Sequence, residues 1–300
     1  MQEHVTETIS RLKTEKNAII LAHNYQPPEI QDIADLCGDS LELSIKASKT
    51  EAAVIVFCGV HFMAETASIL CPDKIVLLPN KGAGCPMADM VTPQQLSDRL
   101  KSFSDIPVVT YVNSSAAVKA MSTICCTSAN SIRVAESLDS QEILMVPDRN
   151  LARYTAAKTN KTIHAWDGYC PYHDRLTPED VKKRRQEHPG AIFIAHPECR
   201  TEVLEIADAV ASTSGMLKYA QESNAQTFII GTEVGLLYPL QKACPEKMFI
   251  AASEAMRCED MKKISLADVA ASLESLSGEV KVPEHIRQPA MGAVQKMIEL

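Results

Sequence analysis

AIILAHNYQPPEIQDIADLCGDS, residues 18–40, is a plan that this chain writes three times. An apolar run ends at His23, a short helical pattern follows, and a second short run ends at Ser40, 17 residues on. Residues 106–128, IPVVTYVNSSAAVKAMSTICCTS, repeat it with Tyr111 and Ser128, and residues 191–213, AIFIAHPECRTEVLEIADAVAST, with His196 and Thr213, each pair again 17 apart. Self-similarity at a fixed period outranks any local signal in deciding a fold, because each copy must build the same supersecondary unit.

The copies stay in step downstream. The first continues through AVIVFCGV and KIVLLPNKGAG to Cys85, the second through EILMVPD and TIHAWDGY to Cys170, the third through TFIIGTE and MFIAASEAMR to Cys258. Counted from His23, Tyr111 and His196, the cysteines fall at 62, 59 and 62. Each copy reads strand, helix, short strand, helix, strand, helix, strand, and such alternation implies parallel strands joined by right-handed crossovers. The fold class is therefore α/β: three homologous three-layer α/β/α units with short parallel sheets, about twelve strands in all, arranged with pseudo-threefold symmetry around a central site. The boundaries fall at 1–105, with an N-terminal helix; 106–190; and 191–300, with C-terminal helices. Val5, Ile9 and Leu12 mark the first helix; Ser265 and Asp268 form a capping box ahead of Leu266, Val269, Leu273 and Leu276; and a last helix is expected to break near Pro289.

Composition narrows the partners. With 46% hydrophobic and 23% charged residues over 300, this is a globular chain, and its longest apolar run, 53–60, is too short for a membrane span. The start, MQEHVTETIS, has no basic-then-apolar leader, which points to the cytoplasm and so away from disulfides among the ten cysteines. A net charge of −8 with 5% aromatics lacks the basic stripe that nucleic acid requires. Small molecules are the expected partners.

In open parallel sheets the carboxyl ends of the strands form the ligand crevice. His23, Tyr25, Tyr111, Asn113, His196 and Glu198 cluster there in matched places, and His173 follows Cys170 by three residues. Ser40, Ser128 and Thr213 stand where strand hands over to helix, as N-caps or as anchors for an anion. Cys37, Cys58, Cys71, Cys125, Cys126, Cys199 and Cys244 read as small hydrophobes. Cys85, Cys170 and Cys258 are different, because the repeat makes them equivalent. There is no C-x-x-C pair, no ferredoxin run, no Walker A loop, and GAGCPM (82–87) reads as a turn. Three thiolates from three units suit a [4Fe–4S] cluster with one iron left open as a Lewis acid, which favours dehydration or hydration. Two other readings stand beside it: a zinc-dependent lyase or hydrolase on the same cysteines, and a binding module in which the thiols only pack.

Further motifs carry a resemblance: AHNYQPPEIQDIAD, GDSLELS, GVHFMAE, CPMAD, YVNSSA, CTSAN, PDRNLARY, CPYH, HPEC, ADAVASTSGM, GTEVGL and CEDMKK, nearly end to end. In these the chain resembles the quinolinate synthase (NadA) family, in its compact form with one cysteine rather than a C-x-x-C near the C-terminus. The resemblance implies condensation of iminoaspartate (iminosuccinate) with dihydroxyacetone phosphate to quinolinate, with loss of phosphate and two waters, in NAD biosynthesis. It implies a [4Fe–4S] cluster on Cys85, Cys170 and Cys258. Tyr25 and Glu198, with His23 and His196 nearby, fall on proton-transfer and isomerisation positions. His23, Ser40, Tyr111, Asn113, Ser128, His196, Glu198 and Thr213 fall on substrate-contacting positions, and His173 lies close to the cluster. An aspartate-oxidising enzyme is the usual source of the imine.

Overall fold

The computed structural model describes residues 2–300. The opening helix, α1 (Gln2–Glu15), leads into β1 (Ala18–His23), α2 (Pro28–Ile33), β2 (Leu36–Gly38), α3 (Ser40–Lys49), β3 (Val54–Cys58), α4 (His61–Leu70) and β4 (Ile75–Leu77). After α5 (Pro93–Leu100) the pattern restarts with β5 (Val108–Tyr111), α6 (Ala116–Lys119), β6 (Ile124–Cys126), α7 (Ser131–Glu136), β7 (Glu142–Val146), α8 (Arg149–Ala157) and β8 (Thr162–Ala165). A third round follows α9 (Pro178–Glu187): β9 (Ile192–Ala195), α10 (Thr201–Leu204), β10 (Ala209–Val210), α11 (Thr213–Glu222), β11 (Thr227–Gly231), α12 (Leu237–Ala243) and β12 (Met248–Ala251). The chain closes with α13 (Leu266–Ser275) and α14 (Glu284–Glu299).

Three four-stranded sheets result, ordered β2-β1-β3-β4, β6-β5-β7-β8 and β10-β9-β11-β12, with every pairing parallel. The register repeats as well: His23 lies opposite Gly38, Tyr111 opposite Cys126 and Ala195 opposite Val210. Strands such as β3, VIVFC, are buried at every residue. A continuous apolar run, rather than an alternating one, is what a parallel strand covered by helices on both faces needs. In each sheet the first strand is flanked on one side by the second and on the other by the third. The connection after the first strand therefore runs to one side and that after the third to the other, opening a crevice between their carboxyl ends.

We propose 1–105, 106–190 and 191–300 as the unit boundaries, each segment supplying one sheet. The main apolar core runs through all three, from Ile20 and Phe57 to Cys126 and Met145 and on to Phe228. The last helices pack back across the chain: α13 lies on α1, and α14 on α4, α6 and β6. Among the described residues no helix is long and apolar enough to cross a membrane.

Two local expectations are corrected. The last helix does not break at Pro289 but runs unbroken from Glu284 to Glu299. Proline there removes only its own amide's bond to the carbonyl four residues back, and the buried stripe Ala290, Ala293, Val294 and Met297 holds the helix against its neighbours. Leu276 is not a further rung of the α13 face; it ends that helix in the left-handed region, at φ 53°. Gly278, at φ 86°, completes the turn where a side chain would strike the Leu78 carbonyl.

The capping box of α13 is formed as the sequence suggests, Ser265 Oγ accepting from the Asp268 N–H at 3.2 Å and the Asp268 carboxylate from the Ser265 N–H at 2.8 Å. Ser265→Ala should cost about 1 kcal/mol and lower the melting temperature by about 2–4 °C, read by calorimetry; an unchanged melting temperature would show that packing on α1 alone sets that helix.

Candidate active site

The carboxyl ends of β1, β5 and β9 converge on one cavity. His23, Tyr25, Ser40 and Cys85 reach it from the first segment, Tyr111, Asn113, Ser128, Cys170 and His173 from the second, and His196, Glu198, Thr213 and Cys258 from the third. Counted out to the solvent at its mouth, the cavity holds about 730 Å3 of atom-free space.

A continuous hydrogen-bonded chain crosses its floor. The Tyr111 hydroxyl donates to Glu198 Oε1 at 2.5 Å, and the other Glu198 oxygen lies 2.7 Å from His173 Nδ1. His173 Nε2 lies 2.8 Å from Thr232 Oγ1, which in turn lies 2.5 Å from the Tyr25 hydroxyl. Polarity at one end follows from the ionised carboxylate, which only accepts, so His173 Nδ1 and the Tyr111 hydroxyl both donate to it. Cys170 Sγ is 3.2 Å from the same Nδ1, a weaker acceptor than a carboxylate. The His196 ring stacks on His173 at 4.7 Å, and the His23 ring meets Tyr25 edge-on at 4.5 Å.

Burial sets the charges. Burial, followed by the positive potential of His196 and Lys262, lowers His23 to about 3, and burial lowers His196 to about 3 as well. Burial alone would raise Glu198, but His173 and His196, with the hydrogen bonds from His173 and Tyr111, outweigh it and hold the carboxyl at about 2. Burial and then the Glu198 charge push Tyr25 and Tyr111 well above the usual phenol range. Glu198 is thus an ionised carboxylate, and the two phenols near it stay protonated.

The three hydroxyls are not the caps of their helices. Asp39 caps α3, accepting from the Leu41 and Glu42 N–H groups at 3.0 Å each, and Ser212 caps α11, accepting from the Gly215 N–H at 3.2 Å. Ser40 and Thr213 are the first helical residues, and Ser128 lies in the turn before Asn130, the N-cap position of α7. All three hydroxyls line the cavity, and at α3 and α11 it is the neighbouring residue that caps the helix. Ser40 and Ser128 make no side-chain hydrogen bond among the described residues, and Thr213 Oγ1 accepts from Asn24 Nδ2 at 3.1 Å. Asn113 Oδ1 is likewise buried without a partner.

All ten cysteines are free, and three of them line the cavity. Burial raises Cys85 to about 12 and Cys258 to about 11 and pushes Cys170 well above the ordinary thiol range, with Cys258 contributing to the rise at Cys85 and Cys85 to that at Cys170. Mutually close thiols without a protein cation to ionise them are what a metal centre would deprotonate and bind. Cys170, His173 and Glu198 also bring three ligand atoms within 4.8 Å of one another. The cavity thus offers a set of soft and hard donors of the kind that holds a metal ion.

Residues 7–299 match the model of the NadA family, described as quinolinate synthetase A protein. The chain belongs to that family. Relatives named quinolinate synthase share 56% identity in Geotalea uraniireducens, over 100% of this chain and 98% of that one, and 53% in Methanosarcina barkeri, over 99% and 98%. A third, from Dehalococcoides mccartyi, is 52% identical over 100% of this chain and 99% of its own. The chain is therefore an enzyme of the NadA family.

Thr232 joins this family site without having stood among the expected residues. It follows β11, the strand on the other side of the crevice from β9. The repeat drew attention to the ends of the first two strands of each unit, and the end of the third was the signal to follow.

With His23 and His196 near 3, against about 6.5 for a free imidazole, the unfolded chain binds more protons than the folded one between about pH 3 and 6.5. Stability should therefore fall as pH drops through that window, and Glu198 adds to the loss below about 4.5. Calorimetric unfolding at about pH 5.5 should take up about two protons on account of these histidines; no uptake there would mean that they are charged in the folded enzyme.

Proposed function

We propose that this chain condenses iminoaspartate with dihydroxyacetone phosphate to give quinolinate, phosphate and two waters, a step of NAD biosynthesis. The observation that carries the reading is the single cavity into which three equivalent cysteines and the Tyr25–Thr232–His173–Glu198–Tyr111 chain all open. The family relatives' names support it.

Cys85, Cys170 and Cys258 would hold a [4Fe–4S] cluster. Their chemistry fits: soft sulfur donors, free of disulfides, one from each sheet's neighbourhood. The ligand group compact enough for a single ion is Cys170, His173 and Glu198, not the three cysteines, whereas three thiolates on one zinc at about 2.3 Å would lie roughly 4 Å apart. That spacing favours the polynuclear centre. When bound, such a cluster supplies an iron with an open position, a Lewis acid for a substrate oxygen.

The chain's own residues do the rest. Ser40, Ser128 and Thr213, their hydroxyls not used as caps, bind substrate carboxylate and phosphate oxygens beside the helix starts, with Asn113 as a further polar contact. Neutral His23 and His196 orient oxygens without adding charge. Tyr25 stays protonated and so can give its proton to a leaving oxygen; when its hydroxyl instead takes a proton from the substrate, it passes its own to Thr232, Thr232 passes its own to His173 Nε2, and the Nδ1 proton goes to Glu198. Tyr111 holds the second Glu198 oxygen, leaving the carboxylate fixed as the final acceptor. With one phenol bonded to the carboxylate directly and the other reaching it through Thr232 and His173, a proton can leave one carbon and return at another, as isomerisation and dehydration require.

Anaerobic purification should give a brown protein with about four iron and four sulfide, with colour lost in Cys85→Ser, Cys170→Ser or Cys258→Ser, and quinolinate formed only by the brown form. A colourless, active protein with about one zinc would replace this reading with a zinc lyase or hydrolase. Thr232→Val should keep the iron but lower kcat about 100-fold or more; a wild-type kcat would remove Thr232 from the proton path.

A further inference from the structure

Glu233 and Lys262 form a buried ion pair outside the chain of groups described above. Glu233, 1% exposed, follows Thr232 beyond the end of β11. Its carboxylate accepts from three donors: the Cys258 N–H at 3.0 Å, the Gly235 N–H at 2.7 Å and Lys262 Nζ at 2.9 Å. Lys262 Nζ donates a second hydrogen bond to the Tyr25 carbonyl oxygen, and Gln26 Nε2 donates to the Met261 carbonyl at 2.8 Å. The loop carrying Cys258 is in this way fastened to the segment carrying Tyr25.

Tyr25 is gripped at both ends by adjacent residues. Thr232 meets its hydroxyl, and Glu233, through Lys262, meets its carbonyl. The packing leaves no slack: a Cβ on Gly235 would come within 2.6 Å of the Tyr25 carbonyl oxygen and 2.7 Å of both Glu233 Oε2 and Lys262 Nζ. A buried ion pair contributes little stability beyond a well-packed apolar pair of the same volume. Its presence at this junction therefore asks for a positional reason.

We propose that Glu233 and Lys262 are positioning residues, a clamp that fixes the Cys258 thiol and the Tyr25 hydroxyl relative to each other. One interaction then sets both the ligand geometry of the metal centre and the start of the proton chain. The inference rests on the cluster reading of Cys85, Cys170 and Cys258. Its rival is a plain tether between the first and third segments, such as exposed Asp32 makes with Tyr238 and Lys242 at 2.7 Å each.

The test compares wild type, Glu233→Gln, Lys262→Met and Asp32→Ala after anaerobic reconstitution, by iron and sulfide content and by the rate at which an iron chelator bleaches the protein. Both clamp variants should lose iron about 10-fold faster or more, while Asp32→Ala keeps the wild-type rate. Wild-type bleaching in the clamp variants, or equally fast bleaching in Asp32→Ala, overturns the clamp and leaves the cluster reading intact. A wild type that takes up no iron overturns both. Should Lys262→Met not fold, Glu233→Gln, which preserves size, decides the matter against Asp32→Ala.

Discussion

The Glu198 carboxylate, 3% exposed, sits where the three sheets meet, and the rest of the site is arranged around its charge. Removing a carboxylate from water costs several kcal/mol unless its oxygens are well satisfied. His173 and Tyr111 satisfy them, one oxygen each. Asn150 Nδ2 holds the Glu198 main-chain carbonyl at 3.0 Å and also reaches Asp174, which Arg149 and Arg200 grip in turn. The charge then acts outward: after burial it is the leading influence that raises Tyr25, Tyr111, Cys170 and Asp148. Next to burial, this one anion keeps the two phenols and the Cys170 thiol protonated.

That anion can be held only because the architecture supplies walls from three directions. Each sheet is short, four strands with a second strand of two or three residues. A unit of that size buries a modest core alone. The units share one apolar cluster, and α13 and α14 return from the end of the chain to cover α1 and the α4–α6–β6 surface. Each crevice opens at the carboxyl end of its first strand for the same topological reason, so facing the three crevices inward makes one cavity with three similar walls. Chemistry differs between the walls because the repeated places carry His, Tyr and His, or Ser, Ser and Thr, rather than one residue three times.

The wall positions also show how helix starts are used. Capping by Asp39 and Ser212 satisfies the exposed N–H groups of α3 and α11 and leaves Ser40 and Thr213 to face the cavity. The Ser212 hydroxyl further donates to Asp39 at 3.2 Å, tying the first wall to the third. Likewise Asn24 Nδ2 reaches Thr213. These contacts cross between repeats, so the spacing of the hydroxyls is a property of the assembled units.

The sequence by itself determined the repeat, and with it the parallel α/β units, the twelve strands and the equivalence of Cys85, Cys170 and Cys258. Those features are written as periodic apolar runs and as fixed spacings, which survive translation into local structure because hydrogen bonding within strands and helices is local or nearly so. Strand ends also brought His23, Tyr111, His196 and their neighbours to notice. Only the tertiary structure decided what lies between repeats. It selected Thr232 as the link from Tyr25 to His173, moved the capping duty to Asp39 and Ser212, carried α14 through Pro289, and joined Glu233 to Lys262 at the Cys258 loop. The Thr232 and Glu233–Lys262 links have no spacing to read, because each depends on side chains from separate segments meeting in a buried volume, where the nearest partner rather than the nearest residue in sequence satisfies a polar group; the caps and the helix through Pro289 are local, but packing decided between readings that the sequence allowed.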